Sequence, residues 1–352
     1  MAVDQSSRRL VILTEGHTDP VTAKTASSVL RYRPEEVVAL LDSTNVGRTT
    51  KEILGVGGSI PVVSKLADAV GANTQMIGIA PAGGRIPAPW KAIILDALSQ
   101  GMDVVSGLHD FISNDPAFVE AAKRGGGTIS DVRKNDEHDV ANKLGLREEC
   151  LRIHTVGQDC CVGKMLAAIE MTNAMKARGY DAKFIASGQT GIMIEGDGVP
   201  IDCVVADFVN GAIEKQILAN QHHEMVFVEG QGSLAHPRYS AVTLGLLHGC
   251  APHGLVMCYE AGRPATNGME YVPLQPLAKL VEVYETMANL MGPSKVIGVA
   301  MNSRLLNDDQ AEAEREKVRA ELGVPVCDVI RHGSDDLAEA VLALKAERAA
   351  AR

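Results

Sequence analysis

The sequence predicts an α/β protein built from two doubly wound parallel-sheet domains. Short apolar runs alternate with helical stretches along the whole chain, which is typical of parallel sheets covered by helices. The chain has 352 residues, a length that favours two domains over one. Several apolar runs end in glycine-rich turns, as expected where buried strands reach the carboxyl edge of a sheet.

The first half contains four predicted strands and two predicted helices. The strands are expected at residues 9–14, 35–43, 76–80 and 102–107, and the helices at 21–30 and 91–99. A glycine-rich, charged segment at 123–145 reads as a linker or a pair of long loops. We place the boundary at residue 138, which gives domains of 1–138 and 139–352.

The second half repeats the alternation. Strands are predicted at residues 150–157, 182–187, 225–232, 254–262 and 295–303. Helices are predicted at residues 164–179, 202–220, 240–248, 274–291, 308–322 and 334–348. Gly179 is the expected C-terminal cap of the first of these helices.

Composition excludes several classes of protein. The net charge is −10, the basic residues are scattered and only 3% of residues are aromatic, so neither nucleic acid nor a membrane is the expected partner. Seven cysteines without a CxxC pair, no signal peptide and no transmembrane run predict a reduced, cytoplasmic protein. The ten histidines lack HExxH spacing, and we predict no metal site.

The segment "TVGQDCCVGKML" (155–166) predicts a phosphate-binding loop. A strand runs into a glycine turn, and Gly163–Lys164 opens a helix. Backbone N–H groups, the positive end of the helix and the lysine can then surround a phosphate. Five residues separate Gly157 from Gly163, one more than in the usual motif.

The residue after the lysine is Met165, where P-loop nucleotidases carry Ser or Thr to ligate Mg²⁺. A thioether cannot replace that hydroxyl, because magnesium prefers oxygen ligands. Either other oxygens, such as those of Asp159 and Glu229, hold the metal, or the loop grips a phosphate without metal. The second interpretation suits a cofactor whose diphosphate is only a handle, and coenzyme A is the obvious example.

The loop resembles that of dethiobiotin synthetases, in which Asp and Val occupy the places of Asp159 and Val162. "GQTG" (188–191) and "VEGQG" (228–232) follow in the same order. The whole chain is similar to a bacterial family that pairs a Rossmann-like N-terminal domain with a dethiobiotin-synthetase-like P-loop domain. That resemblance rests on "VGQDCCVGKM", "SGQTG", "DFVNGAIE", "VEGQGSLAHP", "YSAVTLGLLHG" and "MNSR".

The resemblance implies an N-acetyltransferase that moves the acetyl group of acetyl-CoA to the amino group of D-glutamate. The implied partner is a small amino acid, and we expect a homo-oligomer. Rival hypotheses are an ATP- and Mg²⁺-dependent ligase, carboxylase or kinase of the dethiobiotin synthetase type, a non-catalytic nucleotide sensor, and a dimer-forming scaffold.

Three sets of candidate site residues follow from these patterns. The cofactor-binding set lies on the loop and comprises Gly157, Gln158, Asp159, Cys160, Cys161, Gly163, Lys164 and Met165. The general base that an ammonium substrate requires is expected among Glu229, Asp207 and His236. A dicarboxylate substrate calls for guanidinium and amide partners, for which the candidates are Arg263, Arg304, Arg85, Gln189 and Arg238.

Residues 15–25 of the first half, "EGHTDPVTAKT", imitate a phosphate loop but lack a glycine before the lysine. We interpret them as a strand-to-helix loop. The fingerprint GxGxxG is also missing there, so the sequence does not support nicotinamide binding.

Overall fold

The computed structural model describes residues 8–81 and 83–352, which form two compact units. The first unit holds the described residues up to Asn135 together with Ile192–Pro200, which we call the return segment. The second unit holds Asp136–Gly191 and Ile201–Arg352. No helix formed by the described residues is long and apolar enough to cross a membrane.

The described part of the first unit forms a six-stranded parallel sheet in the order β3-β2-β1-β4-β5-β6. Its strands are β1 (Leu10–Leu13), β2 (Val37–Leu41), β3 (Val62–Val63), β4 (Thr74–Ile77), β5 (Asp103–Ser106) and β6 (Ile129–Asp131). Its helices are α1 (Lys24–Tyr32), α2 (Thr50–Leu54), α3 (Trp90–Ser99) and α4 (Pro116–Gly125). This strand order is that of Rossmann-like sheets.

Local sequence explains two helices that we did not predict in this unit. Thr49 and Glu52 form a capping box at the start of α2, which satisfies two backbone donors reciprocally. Asp115 caps α4, and Gly126 ends it in the left-handed conformation. The prediction that residues 123–145 are only linker or loop is therefore wrong, because they contain the end of α4 and the strand β6.

The return segment belongs to the first unit through hydrogen bonds from two arginines. Arg8 Nη2 donates to the Met193 carbonyl oxygen at 3.1 Å, and Arg33 Nε donates to the Ile194 carbonyl oxygen at 2.9 Å. Arg8 is buried, so this carbonyl group satisfies a donor that water does not reach.

The described part of the second unit also forms a six-stranded parallel sheet, in the order β12-β11-β10-β7-β9-β8. Its strands are β7 (Leu151–Gly157), β8 (Ala182–Ile185), β9 (Met225–Val228), β10 (Gly254–Glu260), β11 (Lys295–Asn302) and β12 (Val326–Cys327). Its helices are α5 (Lys164–Ala177), α7 (Val209–Asn220), α8 (Ser240–Cys250), α9 (Leu277–Asn289), α10 (Asp308–Leu322) and α11 (Asp335–Ala350). The helix α6 (Gln189–Glu195) begins in this unit and continues into the return segment. The predicted architecture of two parallel-sheet domains is confirmed.

One predicted helix of this unit is shorter than expected. The helix predicted at 202–220 begins only at Val209, and two short 3₁₀ turns, Ile201–Cys203 and Ala206–Phe208, precede it. Val205 adopts φ −59° and ψ 137°, an extended conformation that interrupts any helix. The apolar residues of this stretch are therefore not one continuous helical face.

Candidate functional site

The loop between β7 and α5 lies at the carboxyl edge of the second sheet. Cys161 and Gly163 both have positive φ, 56° and 103°, so the backbone alternates in hand and turns its N–H groups inward as an anion-binding nest. A Cβ on Gly157 would lie 3.0 Å from Lys164 Nζ and 3.1 Å from Val162 Cγ2. The first glycine is therefore needed for the lysine to fold across the loop.

Lys164 is buried against this loop. Its Nζ donates to the Asp159 carbonyl oxygen at 2.8 Å and to no other acceptor among the described residues. Its aliphatic chain lies over Gly230, whose N–H donates to Thr155 Oγ1 at 3.0 Å. An ammonium group has three donors, so two remain for a bound anion.

Asp159 is bonded to the loop and to a distant segment of the chain. Its Oδ1 accepts from the N–H of Cys160 at 2.7 Å, and its Oδ2 accepts from Arg263 Nη1 and from the N–H of Asn267, both at 2.7 Å. The side chain is fully buried. The carboxylate therefore joins the loop to the segment that follows β10.

Arg263 was predicted to bind substrate, but the structure turns its guanidinium toward the loop. Besides the bond to Asp159, its Nη1 donates to the Cys160 carbonyl oxygen at 2.7 Å and its Nη2 to that of Cys161 at 3.1 Å. Its Nε donates to Glu260 Oε2 at 2.6 Å. Through these four hydrogen bonds Arg263 ties the loop to the end of β10.

The other predicted arginines are exposed. Arg304 donates through Nε to Glu260, and its side chain is 54% exposed. Arg238 lies in the segment after β9, and Arg85 lies in the first unit after β4. The side chains of Arg238 and Arg85 donate to no acceptor among the described residues. Gln189 is buried at the start of α6.

Glu229 directly follows β9 and is buried. Its Oε2 accepts from the N–H groups of Ser187 and Gly188 at 3.0 and 3.1 Å, and its Oε1 accepts from Gln231 Nε2 at 3.1 Å. Burial raises the pKa of this carboxyl to about 7, although the two backbone donors and the nearby ammonium of Lys164 oppose that rise. A carboxyl with this pKa can take up and release protons near neutral pH.

The motif "GQTG" has a steric explanation. A Cβ on Gly188 would overlap Gln231 Nε2, and a Cβ on Gly191 would overlap Glu229 Oε2. Both glycines leave room for one buried carboxyl group and its amide partner.

His236 is buried and held at both ring nitrogens. Its Nδ1 accepts from the N–H of Arg238 at 3.1 Å, which places the proton of the neutral ring on Nε2. That nitrogen lies 3.3 Å from the Asn267 carbonyl oxygen and 3.8 Å from Asp159 Oδ1. In this arrangement the ring supports the loop.

Asp159, Cys160 and His236 bring potential metal ligands within 4.8 Å of one another. However, Asp159 already accepts three hydrogen bonds, one of them from the positively charged Arg263. The Nε2 of His236 carries a proton and so cannot ligate a metal unless the ring changes tautomer. These contacts fit a supporting role for the three side chains better than a metal site.

The premise on which Asp207 was a candidate base is wrong. We expected a buried carboxylate on a helical face, but Asp207 is exposed and lies in the 3₁₀ turn Ala206–Phe208.

Sequence analysis did not find Tyr284, which supports the loop from α9. Its buried hydroxyl donates to the Gly157 carbonyl oxygen at 2.8 Å and accepts from the N–H of Leu234 at 3.1 Å. Burial raises the pKa of this hydroxyl to about 12, so it stays protonated. The one available signal was a tyrosine on an otherwise apolar helical face.

In the first unit, Asp42 follows β2 and organises the loop of residues 15–25. It accepts hydrogen bonds from the Gly16 N–H at 3.1 Å, from the hydroxyls of Thr18 and Thr44, and from Asn45 Nδ2 at 2.8 Å. Burial raises the pKa of this carboxyl, but these donors lower it further, to about 2. The loop is thus a strand-to-helix connection closed around a carboxylate.

Known proteins resemble this chain over both units. A family model described as "Domain of unknown function (DUF1611_C) P-loop domain" matches residues 137–338, and one described as "Domain of unknown function (DUF1611_N) Rossmann-like domain" matches residues 43–135. A crystal structure of a DUF1611 family protein from Anabaena variabilis ATCC 29413 superposes with a TM-score of 0.90 at 37% identity, covering 96% of this chain and 99% of that one.

Two curated relatives have names that state an activity. A D-glutamate N-acetyltransferase of Tritonibacter scottomollicae is 35% identical over 328 residues, which are 93% of this chain and 96% of the relative. A D-glutamate N-acetyltransferase of Pseudoalteromonas sp is 36% identical over 321 residues, 91% and 94% of the two chains.

Proposed function

The chain belongs to the DUF1611 family, which it shares with two acyltransferases, and we propose that it transfers the acetyl group of acetyl-CoA to the amino group of D-glutamate. The names of these two relatives support the substrate and the reaction. The geometry of the second unit supports the way in which the cofactor is held.

The observation that carries the cofactor proposal is a phosphate nest without magnesium ligands of the usual kind. Met165 occupies the hydroxyl position, and the two nearby carboxylates, Asp159 and Glu229, already accept hydrogen bonds from protein donors. A diphosphate that is gripped but not cleaved needs only the nest and Lys164. The diphosphate of coenzyme A is such a group.

In the proposed reaction the amine of D-glutamate attacks the thioester carbonyl carbon. A C–N bond forms, the C–S bond breaks, and the thiolate of coenzyme A leaves and takes up a proton. The amine must first lose a proton, because an ammonium has no lone pair. We assign this proton to Glu229, whose pKa of about 7 suits a base at neutral pH. Arg238 is exposed, its N–H donates to His236, and its side chain is the proposed partner of a substrate carboxylate.

Ligand-induced stabilisation tests the cofactor. A ligand at a hundred times its Kd should stabilise the fold by about 2.7 kcal/mol. We expect acetyl-CoA to raise the melting temperature equally with Mg²⁺ and with EDTA, and Lys164→Ala to abolish the shift. Lys176→Ala is the matched control, since Lys176 is exposed on the same helix.

Turnover is tested with D-glutamate as acceptor, by following release of the free thiol. Acetylation of D-glutamate that is lost in Lys164→Ala is the expected result. A melting shift that appears only with ATP and Mg²⁺, without acetyl transfer, would overturn the proposal and favour an ATP-dependent ligase or kinase.

A further inference from the structure

Arg304 follows β11, and within the described ranges one edge of its guanidinium group has a hydrogen-bond partner. Its Nε donates to Glu260, whose side chain is 2% exposed, so a buried carboxylate fixes the orientation of the plane. Neither Nη group donates to an acceptor among the described residues. With its Nε edge fixed, this planar cation can offer its two Nη groups to a phosphate, which accepts such paired hydrogen bonds in bidentate geometry.

Glu260 connects Arg304 to the phosphate loop. Its second oxygen, Oε2, accepts from Arg263 Nε at 2.6 Å, and Arg263 in turn donates to the carbonyl oxygens of Cys160 and Cys161. One carboxylate and one guanidinium therefore separate Arg304 from the outer wall of the loop. Arg304 therefore lies, like the loop, at the carboxyl edge of the second sheet.

Apolar side chains lie on the neighbouring loops. Leu305 follows β11 and is 50% exposed, and Ile330 follows β12 and is 45% exposed. The two loops are joined because the N–H and Oγ of Ser303 donate to Asp328 Oδ2 at 2.9 and 2.6 Å. Exposed apolar groups on the loop that carries Arg304 and on the loop bonded to it suit a purine ring that carries a phosphate.

The strand order sets the direction of the ligand. Strands β10, β11 and β12 lie on one side of β7, and β9 with Glu229 lies on the other. The diphosphate of coenzyme A carries adenosine at one end and the acylated arm at the other. If the acyl end extends toward the Glu229 side, the adenosine end extends toward β10 and β11.

From these observations we propose that Arg304 binds the 3′-phosphate of coenzyme A and that Leu305 and Ile330 contact its adenine. This inference rests on the proposed function, because it takes acetyl-CoA as the ligand and Glu229 as the marker of the acyl side. A carboxylate of D-glutamate offers the same oxyanion chemistry, and the experiment separates the two sources.

The test compares acetyl-CoA with 3′-dephospho-acetyl-CoA in steady-state kinetics. Loss of the 3′-phosphate should raise KM in the unaltered protein about tenfold or more, as expected for a charge-assisted hydrogen bond. Arg304→Gln should raise KM for acetyl-CoA by the same factor and have little further effect on the dephosphorylated cofactor. Arg319→Gln is the matched control, since that side chain is 57% exposed and pairs with Glu316 on α10.

Three results would count against the inference. Equal KM values for the two cofactors in the unaltered protein would overturn it while leaving acetyl transfer intact. A rise in KM for D-glutamate, instead of acetyl-CoA, in Arg304→Gln would assign the residue to the substrate carboxylate. If calorimetry showed that the protein binds neither coenzyme A nor dephospho-coenzyme A, both this inference and the proposed function would fail.

Discussion

Replacing Arg263 by methionine should destabilise the second unit strongly. The guanidinium of Arg263 donates to two carboxylates that are almost entirely inaccessible, those of Asp159 and Glu260, as well as to two carbonyl oxygens of the loop. Removing one partner of a buried ion pair leaves an uncompensated charge and costs about 3–5 kcal/mol. In a unit of this size that corresponds to a fall in melting temperature of roughly 10 °C.

A double-mutant cycle gives the assay. Thermal unfolding is measured for Arg263→Met, Asp159→Asn and the double variant. Because Asp159→Asn removes the charge that Arg263→Met strands, the double variant should lose less stability than the sum of the single losses. Arg319→Met serves as the control, since Arg319 and its partner Glu316 are both about half exposed and the pair should contribute at most about 1 kcal/mol.

The reasoning fails on either of two outcomes. Strictly additive losses in the cycle would show that the two side chains do not act as a pair. A melting temperature of Arg263→Met no lower than that of Arg319→Met would show that the guanidinium is not needed to compensate buried charge.

Three further variants test the same sheet edge. Burial of Glu229 penalises its charged form, so its contribution to stability is complete below about pH 4.5 and is lost as the pH rises through about 7. As the pH rises through that range, the stability of Glu229→Gln relative to the unaltered protein should therefore increase, by on the order of 3 kcal/mol in the free energy of unfolding. Parallel profiles of unfolding free energy against pH for the two proteins would contradict this. In the same variant kcat should fall, and the increase of kcat with pH near pH 7 should disappear. If only the affinity for acetyl-CoA falls, Glu229 supports the loop and is not the base. Tyr284→Phe leaves two buried backbone groups at Gly157 and Leu234 without a partner and should cost about 1–3 kcal/mol in thermal melts; a change below about 0.5 kcal/mol would refute it. Gly230→Ala should destabilise the protein and abolish the melting-temperature shift induced by acetyl-CoA, because the added Cβ would overlap the Thr155 carbonyl oxygen. A melting temperature within 1 °C of that of the unaltered protein, equivalent to about 0.3 kcal/mol, would show that the strands can separate there.

The parts of the molecule that were predictable depend on local signals. Alternating apolar runs define the strands, and the glycines around Lys164 define the loop, because each signal lies within a few consecutive residues. The partners of the loop lie far away in sequence. Arg263 is 104 residues from Asp159, and Tyr284 is 127 residues from Gly157.

Such distances explain why the contacts of individual side chains could not be predicted. An arginine after a strand end looks the same in sequence whether its guanidinium faces a substrate or a loop carbonyl group. Asp207 is exposed because the extended backbone at Val205 interrupts the predicted helix. No local sequence pattern predicted that extended residue. Burial and orientation, unlike strand order, require the tertiary contacts.

The return segment affects when the first unit can complete its folding during synthesis. Translation proceeds from the N-terminus, and early domains generally begin to fold during synthesis. The acceptors for Arg8 and Arg33 lie at Met193 and Ile194, so the nascent first unit lacks them until more than half of the polypeptide has been synthesised. A fragment ending at Asn135 would never acquire these two carbonyl acceptors.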